Sequence, residues 1–187
     1  MSRAKSSTEG AEKLSELILY IAEQSEGDEA FGATKLNKLL FYSDFTAYLL
    51  IGQSITGQEY QKLTNGPAPR QMVPVMEEMR VKAELAIANR NYYGHLQKKV
   101  LALRDPDLTA FTGPEIAIVN DALLHFRHMS ASAISEASHK FIGWQAVGEG
   151  ETIPYAAALI DDRDLTNQER LWATELDATG LEALLAA

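Results

Sequence analysis

The sequence predicts a mainly α (α+β) fold, a compact helical domain around a central buried helix with a small antiparallel β-hairpin. Three observations predict it. Several segments repeat apolar residues with the helical period, one of these segments is apolar on nearly every side, and another segment alternates apolar and polar residues. The composition, with 46% apolar and 23% charged residues, is that of an ordinary globular chain.

The first two helices are predicted from apolar periodicity and from their ends. Apolar residues recur at helical spacing over about residues 9–25. Thr34 is expected to cap a second helix, which continues to Gly52, a residue suited to the left-handed conformation that ends many helices. Because this second helix is apolar on nearly every side, neighbouring elements should wrap it, and we interpret it as the central helix.

A proline-rich turn at residues 65–69 leads into a third helix and a hairpin. The helix begins either near Pro69 or at Pro74, because proline fits the first turn of a helix but kinks its interior. Residues 84–104 then alternate apolar and polar side chains on both sides of Gly94. This pattern predicts a two-stranded antiparallel hairpin that lies on the helices.

Two helix-capping patterns follow the hairpin. Residues 112–115 read Thr-Gly-Pro-Glu, which is typical of a capping box with proline in the first turn, and they predict a fourth helix with the apolar stripe Ile116, Val119, Leu123 and Phe126. Ser130 is expected to cap a short fifth helix over residues 131–139.

The last part of the chain differs from the rest in charge. Residues 143–150 should be irregular and residues 154–160 helical, and residues 161–187 then carry seven acidic residues against two arginines. A second capping-box pattern opens this tail, so it should be helical. We therefore expect one domain over residues 1–160 and an acidic helical C-terminal extension over residues 161–187.

Composition and charge exclude several classes of function. The chain has no cysteine, which excludes disulfides, zinc–thiolate sites, iron–sulfur clusters and cysteine nucleophiles. Its formal net charge of −9 argues against direct nucleic-acid binding, because affinity for a phosphate backbone comes from Lys and Arg. No apolar run approaches the ~18 residues that span a bilayer, and residues 1–10 lack the apolar core of a secretory signal. We therefore expect a cytoplasmic protein without a membrane partner.

Few residues are placed for catalysis. Asp121, His125 and His128 have the spacing that puts chelating side chains on one helix face, and a metal-dependent hydrolase could use them. A solvated helix face explains the same residues and is the favoured interpretation. His139 near Trp144 allows an acid–base role, but no nucleophile or oxyanion donor accompanies it, so a hydrogen-bonded structural histidine is favoured. We therefore expect no enzyme, no cofactor and no metal.

The basic residues Lys98, Lys99 and Arg104 lie on the second strand of the predicted hairpin. They could mark a nucleic-acid surface, but lysines that protect an edge strand explain them equally well. The negative net charge favours the second interpretation.

Three segments together resemble a known family. Residues 35–42 read Lys-Leu-Asn-Lys-Leu-Leu-Phe-Tyr, residues 66–70 read Gly-Pro-Ala-Pro-Arg, and residues 134–140 read Ile-Ser-Glu-Ala-Ser-His-Lys with Trp144 close behind. Their order and spacing resemble the Panacea domain of SocA-like antitoxins over about residues 12–160.

The resemblance implies an antitoxin of a bacterial or phage toxin–antitoxin system, which neutralises a cognate protein toxin by direct contact. A protease adaptor or a phage-encoded interaction protein of the same fold is the alternative. An unfoldase-protease is then a further partner, and the chain's Leu-Ala-Ala end is like the tags that such proteases accept. The residues that the resemblance places at a partner surface are Tyr42, Asn65, Gly66, Pro67, Arg70, His139 and Trp144. Structural roles remain open for them, because Gly-Pro can simply turn the chain and tryptophan can close the core.

Overall fold

The computed structural model describes residues 7–160 and Leu171, and in this part of the chain helices predominate over two small antiparallel sheets. The mainly helical α+β class is therefore confirmed, and an all-α class is excluded. The predicted acidic extension with its Leu-Ala-Ala end lies outside the described residues, apart from Leu171. The helices and strands are, in chain order, α1 (Ser7–Gln24), α2 (Ala33–Ile51), β1 (Tyr60–Gln61), β2 (Ala68–Pro69), α3 (Met72–Val81), β3 (Leu85–Tyr92), β4 (His95–Ala102), α4 (Gly113–Phe126), α5 (Ala131–His139), α6 (Ile142–Gln145) and β5 (Thr152–Ile153).

Helix α2 contacts α1, α4, α5 and strand β4. Ten of its 19 residues are buried, whereas Leu49, Leu50 and Ile51 in its last turn are exposed. The helix ends as predicted at Gly52, whose φ is 75° and whose N–H donates to the Tyr48 carbonyl. The apolar composition of α2 thus overstates how completely its described neighbours cover it.

The start of α2 differs from the prediction, since Gly32 and not Thr34 occupies the N-cap position. No side chain caps the first turn there. The backbone of β4 passes so close that a Cβ on Gly32 would lie 3.2 Å from the Lys98 carbonyl oxygen. The close packing of β4 therefore favours glycine at this N-cap position, and the capping preferences of side chains do not reveal such a contact.

A three-stranded sheet that no periodicity predicts joins distant parts of the chain. Its strands β1, β2 and β5 have two residues each and lie in the order β2-β1-β5, with both pairs antiparallel. Tyr60 pairs with both Pro69 and Ile153. Two residues are too few to show a period of two, so this sheet leaves no pattern in the sequence.

Helix α3 begins at Met72, between the two starting points that the sequence left open. Pro74 is then the third residue of the helix. A backbone N–H at that position has no intrahelical partner. Proline, which lacks this N–H, therefore costs the helix no hydrogen bond there.

Strands β3 and β4 form the predicted hairpin and pair over all eight residues of each strand. Tyr93 and Gly94 make the two-residue turn, with φ values of 48° and 84°, as a type I′ turn requires. Leu85 and Val100 towards the other end are buried in the main apolar core, which holds the hairpin on the helices.

Both capping patterns after the hairpin are confirmed. Thr112 and Glu115 each accept a hydrogen bond from the other's backbone N–H, which makes the capping box at the start of α4. The Ser130 side chain accepts a hydrogen bond from the Ala133 N–H at the start of α5.

The segment behind α5 is more regular than expected. Helix α6 occupies the start of the stretch predicted to be irregular, and Gly143 within it lies so close to Ala157 that a Cβ would be 2.5 Å from the alanine methyl. The stretch predicted to be helical forms a 3-10 turn over Tyr155–Leu159.

Within residues 7–160 no helix combines the length and the apolar character that crossing a membrane requires.

Candidate functional site

Two lysines of α2, Lys35 and Lys38, are buried, with 1% and 2% of their surface exposed. Lysine is rarely buried, because taking its charge out of water is costly unless the charge is paired. Both lysines belong to the Lys-Leu-Asn-Lys segment that carries the family resemblance. Each of them reaches a different loop.

The Lys35 ammonium has an acceptor for each of its three hydrogens. It pairs with the Asp28 carboxylate at 2.6 Å and donates to the carbonyls of Arg127 and Met129 at 3.1 and 2.8 Å. Both carbonyls follow the end of α4, where unpaired carbonyls and the helix dipole favour a cation. Lys35 therefore joins the loop before α2 to the connection between α4 and α5.

The three motif segments meet in one cluster, which we call the Lys38 junction. Its members are Lys38, Asn65, Gly66, Pro67, Ser135 and Ser138. The Lys38 ammonium donates to the Pro67 carbonyl at 3.0 Å, and the Ser135 hydroxyl donates to the Asn65 carbonyl at 2.5 Å. These hydrogen bonds attach the Gly-Pro turn to α2 on one side and to α5 on the other.

Gly66 suits this junction for two reasons. Its φ of 94° lies in the left-handed region that side chains other than glycine rarely adopt. A Cβ would also lie 2.6 Å from Lys38 Cε and would overlap Ser138 Oγ. Ser138 is fully buried, and its hydroxyl already donates to the Ser135 carbonyl at 2.6 Å, so it has little room to turn aside.

Burial gives Lys38 a titration that can be measured. Among the described residues no carboxylate pairs with its ammonium, and burial lowers its pKa from 10.5 to about 8. Between these values the unfolded chain keeps a proton that the folded chain has released, so the free energy of unfolding rises with pH. We expect the unmodified protein to gain about 2 kcal/mol over Lys38→Met between pH 8 and pH 10.

Urea denaturation of both proteins at several pH values in that range measures this difference. The methionine variant controls for every other titrating group, because the two proteins share all of those groups. A difference that stays constant or falls as pH rises would contradict the burial of an unpaired ammonium.

His139 and Trp144 form a stack close to the Lys38 junction. Their ring centres are 4.3 Å apart with 16° between the planes, and the Lys62 ammonium lies 4.2 Å from the centre of the tryptophan ring. His139 Nε2 and Trp144 Nε1 are buried without a hydrogen-bond partner among the described residues. Stacking therefore holds the His139 ring where a hydrogen bond was expected.

Tyr42 and Arg70 also make contacts inside the fold. Tyr42 stacks on Phe126 with ring centres 4.4 Å apart, and burial raises the pKa of its phenol to about 12. Arg70 donates to the Gly150 carbonyl at 2.7 Å and to the Thr152 hydroxyl at 2.9 Å, which fastens the end of β2 to β5. The residues that the resemblance placed at a partner surface thus all have partners inside the fold, and their contact with another protein stays a prediction.

Asp44 of α2 is a fully buried carboxylate that no motif indicated. It accepts hydrogen bonds from the Thr56 N–H at 2.8 Å, from the Thr56 hydroxyl at 2.5 Å and from the Tyr60 hydroxyl at 2.8 Å. Burial raises the pKa of this carboxyl, and the hydrogen bonds oppose the rise. An acid inside a largely apolar helix was the available signal, because a buried polar group needs partners.

Asp121, His125 and His128, the alternative metal ligands, do not form a metal site. Within residues 7–160, no three His, Asp or Glu side chains gather in a way that could hold a metal ion. Helix α4 ends at Phe126, so the helical spacing that joined Asp121 and His125 does not continue to His128. The hydrolase hypothesis therefore loses the residues on which it was based.

Two of the three basic residues predicted on the second strand, Lys99 and Arg104, do not protect an open edge either. Lys99 is buried and donates to the Glu26 carbonyl at 2.9 Å. Arg104 pairs with Glu16 at 2.6 Å and lowers the pKa of that carboxyl. Both cations fasten the hairpin to α1 and to the loop behind it.

The structure is that of a small α+β protein. Lys35 and Lys38 of helix α2 each hold a loop in place, and the residues of the three sequence motifs make contacts inside the fold. The chain belongs to the family of SocA-like antitoxins with the Panacea domain, because the family model matches residues 36–145, more than half of its length. The matched range runs from α2 through α6 and contains the whole Lys38 junction. Searches among curated proteins and among solved structures find no match.

Proposed function

We propose that this protein is an antitoxin that neutralises a cognate protein toxin by direct contact. The match to the antitoxin family over residues 36–145 carries the proposal. A binding protein needs a rigid surface with a few well-packed anchors, and it needs no catalytic group. The Lys35 ion pair and the Lys38 junction support this function, because they hold the motif segments in one fixed arrangement.

The surface beside the Lys38 junction offers side chains to such a partner. Asn65 is exposed, and Arg70, His139 and Trp144 are half-buried. Gly66 is buried and acts in this proposal by positioning Asn65. The formal net charge of −9 favours a toxin of positive net charge, because opposite charge speeds encounter and disfavours wrong partners.

Growth rescue tests the proposal. We expect the gene beside this one to encode a protein that arrests growth when it is expressed alone. Co-expression of this protein should relieve the arrest, and the two proteins should copurify as a stable complex. An unrelated toxin expressed with this protein is the control for specificity. A harmless neighbour, or an arrest that co-expression leaves unchanged, would overturn the proposal.

A protease adaptor of the same fold would give a different result in the same strains. It would copurify with an unfoldase and shorten the half-life of the protein that it delivers. A neutralising antitoxin leaves the toxin intact in the complex. Measuring the toxin's half-life with and without co-expression therefore separates the two functions.

A further inference from the structure

Strand β3 presents an open edge along the hairpin. Its sheet has two strands, and in the described part of the chain β3 packs mainly on β4 and α3. Ile87, Asn89, Arg90 and Asn91 are exposed. Within the described structure, the outer side of this strand therefore faces solvent.

The register decides which backbone groups face outward. The Leu103 N–H donates to the Glu84 carbonyl at 2.8 Å, one residue beyond the last pair of the ladder. Hydrogen-bonded and non-hydrogen-bonded pairs alternate in an antiparallel ladder, so the even-numbered residues of β3 bond to β4. Ile87, Asn89 and Asn91 therefore turn their backbone N–H and C=O groups towards the open edge.

This edge has few of the features that keep edge strands from pairing. Natural proteins protect such strands with charged side chains, proline, a bulge or a very short length. Strand β3 has eight residues, contains no proline, pairs with β4 without a bulge, and carries Arg90 as its one charged side chain. The lysines of the hairpin lie on β4, which α1 and α2 contact. An edge of this length with a single charge can accept a further strand that complements that charge.

The hairpin also carries the opposite charge to the whole chain. Residues 85–102 contain Arg90, Lys98 and Lys99 and no acidic residue, in a chain with a net charge of −9. Arg90 and Lys98 are exposed, and neither forms an ion pair with another described residue. These positive charges favour the binding of a strand that carries carboxylates. They disfavour pairing of this edge with the same edge of a second copy, which carries the same charges.

We propose that β3 is the edge to which the toxin docks, and that one extended acidic segment of a toxin whose net charge is positive adds to the hairpin as a third strand. This inference rests on the proposed function, because it names the surface through which the antitoxin holds its toxin. The outward N–H and C=O groups of Ile87, Asn89 and Asn91 supply the hydrogen bonds. Successive side chains of a strand face opposite sides, so apolar groups of the segment fall beside Ile87 and carboxylates beside Arg90.

Asn89→Pro and Asn89→Ala are a matched pair of variants for this edge. Both remove the asparagine side chain, but only proline removes the outward N–H. That N–H makes no bond to β4, and proline is tolerated where an edge strand's N–H faces solvent. Titration of the purified product of the adjacent gene should show roughly tenfold weaker binding or more for Asn89→Pro. Binding by Asn89→Ala should stay near that of the unmodified protein.

The outcomes separate this inference from the proposed function. Equal binding by the two variants overturns the docking edge and leaves the antitoxin function standing. No binding by the unmodified protein overturns the proposed function itself. Thermal unfolding of both variants shows whether the proline variant is folded.

Hydrogen exchange of the unmodified protein keeps the inference testable if Asn89→Pro does not fold. The amides of residues 87, 89 and 91 should exchange more slowly in the complex than in the free protein, and unchanged exchange overturns the inference. Sedimentation of the free protein tests whether a second copy of this chain occupies the edge instead of the toxin. A dimer that Asn89→Pro dissociates would assign the edge to a second copy of this chain and overturn docking of the toxin there.

Discussion

Replacing Lys35 with methionine should lower the free energy of unfolding by about 3 kcal/mol. The side chain has 1% of its surface exposed and pairs with Asp28 at 2.6 Å. Methionine fills a similar volume, but it leaves the Asp28 carboxylate without its cation. It also leaves the carbonyls of Arg127 and Met129 without the donor that the ammonium supplies. Buried groups that lose their partners are destabilising, whereas the loss of an exposed ion pair is nearly neutral.

Lys82→Met is the matched control for Lys35→Met. Lys82 also pairs with a carboxylate at 2.6 Å, that of Glu78, but the two side chains are 56% and 64% exposed. We therefore expect Lys82→Met to leave the midpoint of urea denaturation almost unchanged. The two variants differ mainly in burial, so equal losses of stability would contradict the account of Lys35 as a buried link between loops.

Most helices of this fold were predictable because their signals are local. Apolar periodicity and capping side chains act within a few residues, as the caps at Thr112 and Ser130 show. The sheet of β1, β2 and β5 was not predictable in this way. Its strands have two residues each, and β5 follows β1 by some ninety residues, so only the folded chain brings them together.

The candidate site was predictable as a set of segments but not as an arrangement. Periodicity places Lys35 and Lys38 on α2, yet lysine is ordinarily exposed, and nothing in the spacing shows that both side chains are buried. The apolar residues around them were the signal for burial. The same limit applies to Lys99, whose position on a strand indicated an exposed edge, although its side chain reaches the Glu26 carbonyl.

Replacing Gly66 with alanine should also lower the free energy of unfolding by about 3 kcal/mol. One part of the loss is conformational, because an L side chain at a φ of 94° is strained. The other part is overpacking, because the new methyl would lie 2.6 Å from Lys38 Cε and would overlap Ser138 Oγ. Urea denaturation measures the sum of the two parts.

Gly52→Ala separates these two parts. Gly52 also has a positive φ, at 75°, but a Cβ there would meet no atom within 4 Å among the described residues. We therefore expect Gly52→Ala to cost only the conformational part, about 1 kcal/mol. A similar loss in both variants would show that the Lys38 junction gives way to a methyl group without strain.

The pH dependence of Gly66→Ala adds a second test of the Lys38 junction. If the methyl displaces the Lys38 ammonium from the Pro67 carbonyl towards water, its pKa returns towards 10.5. The rise in stability between pH 8 and pH 10 should then be smaller in Gly66→Ala than in the unmodified protein, and unaltered in Gly52→Ala. Such a result would show that Gly66 and Lys38 act as one structural unit. A substitution in the Gly-Pro turn would then have changed the titration of a side chain 28 residues earlier in the chain.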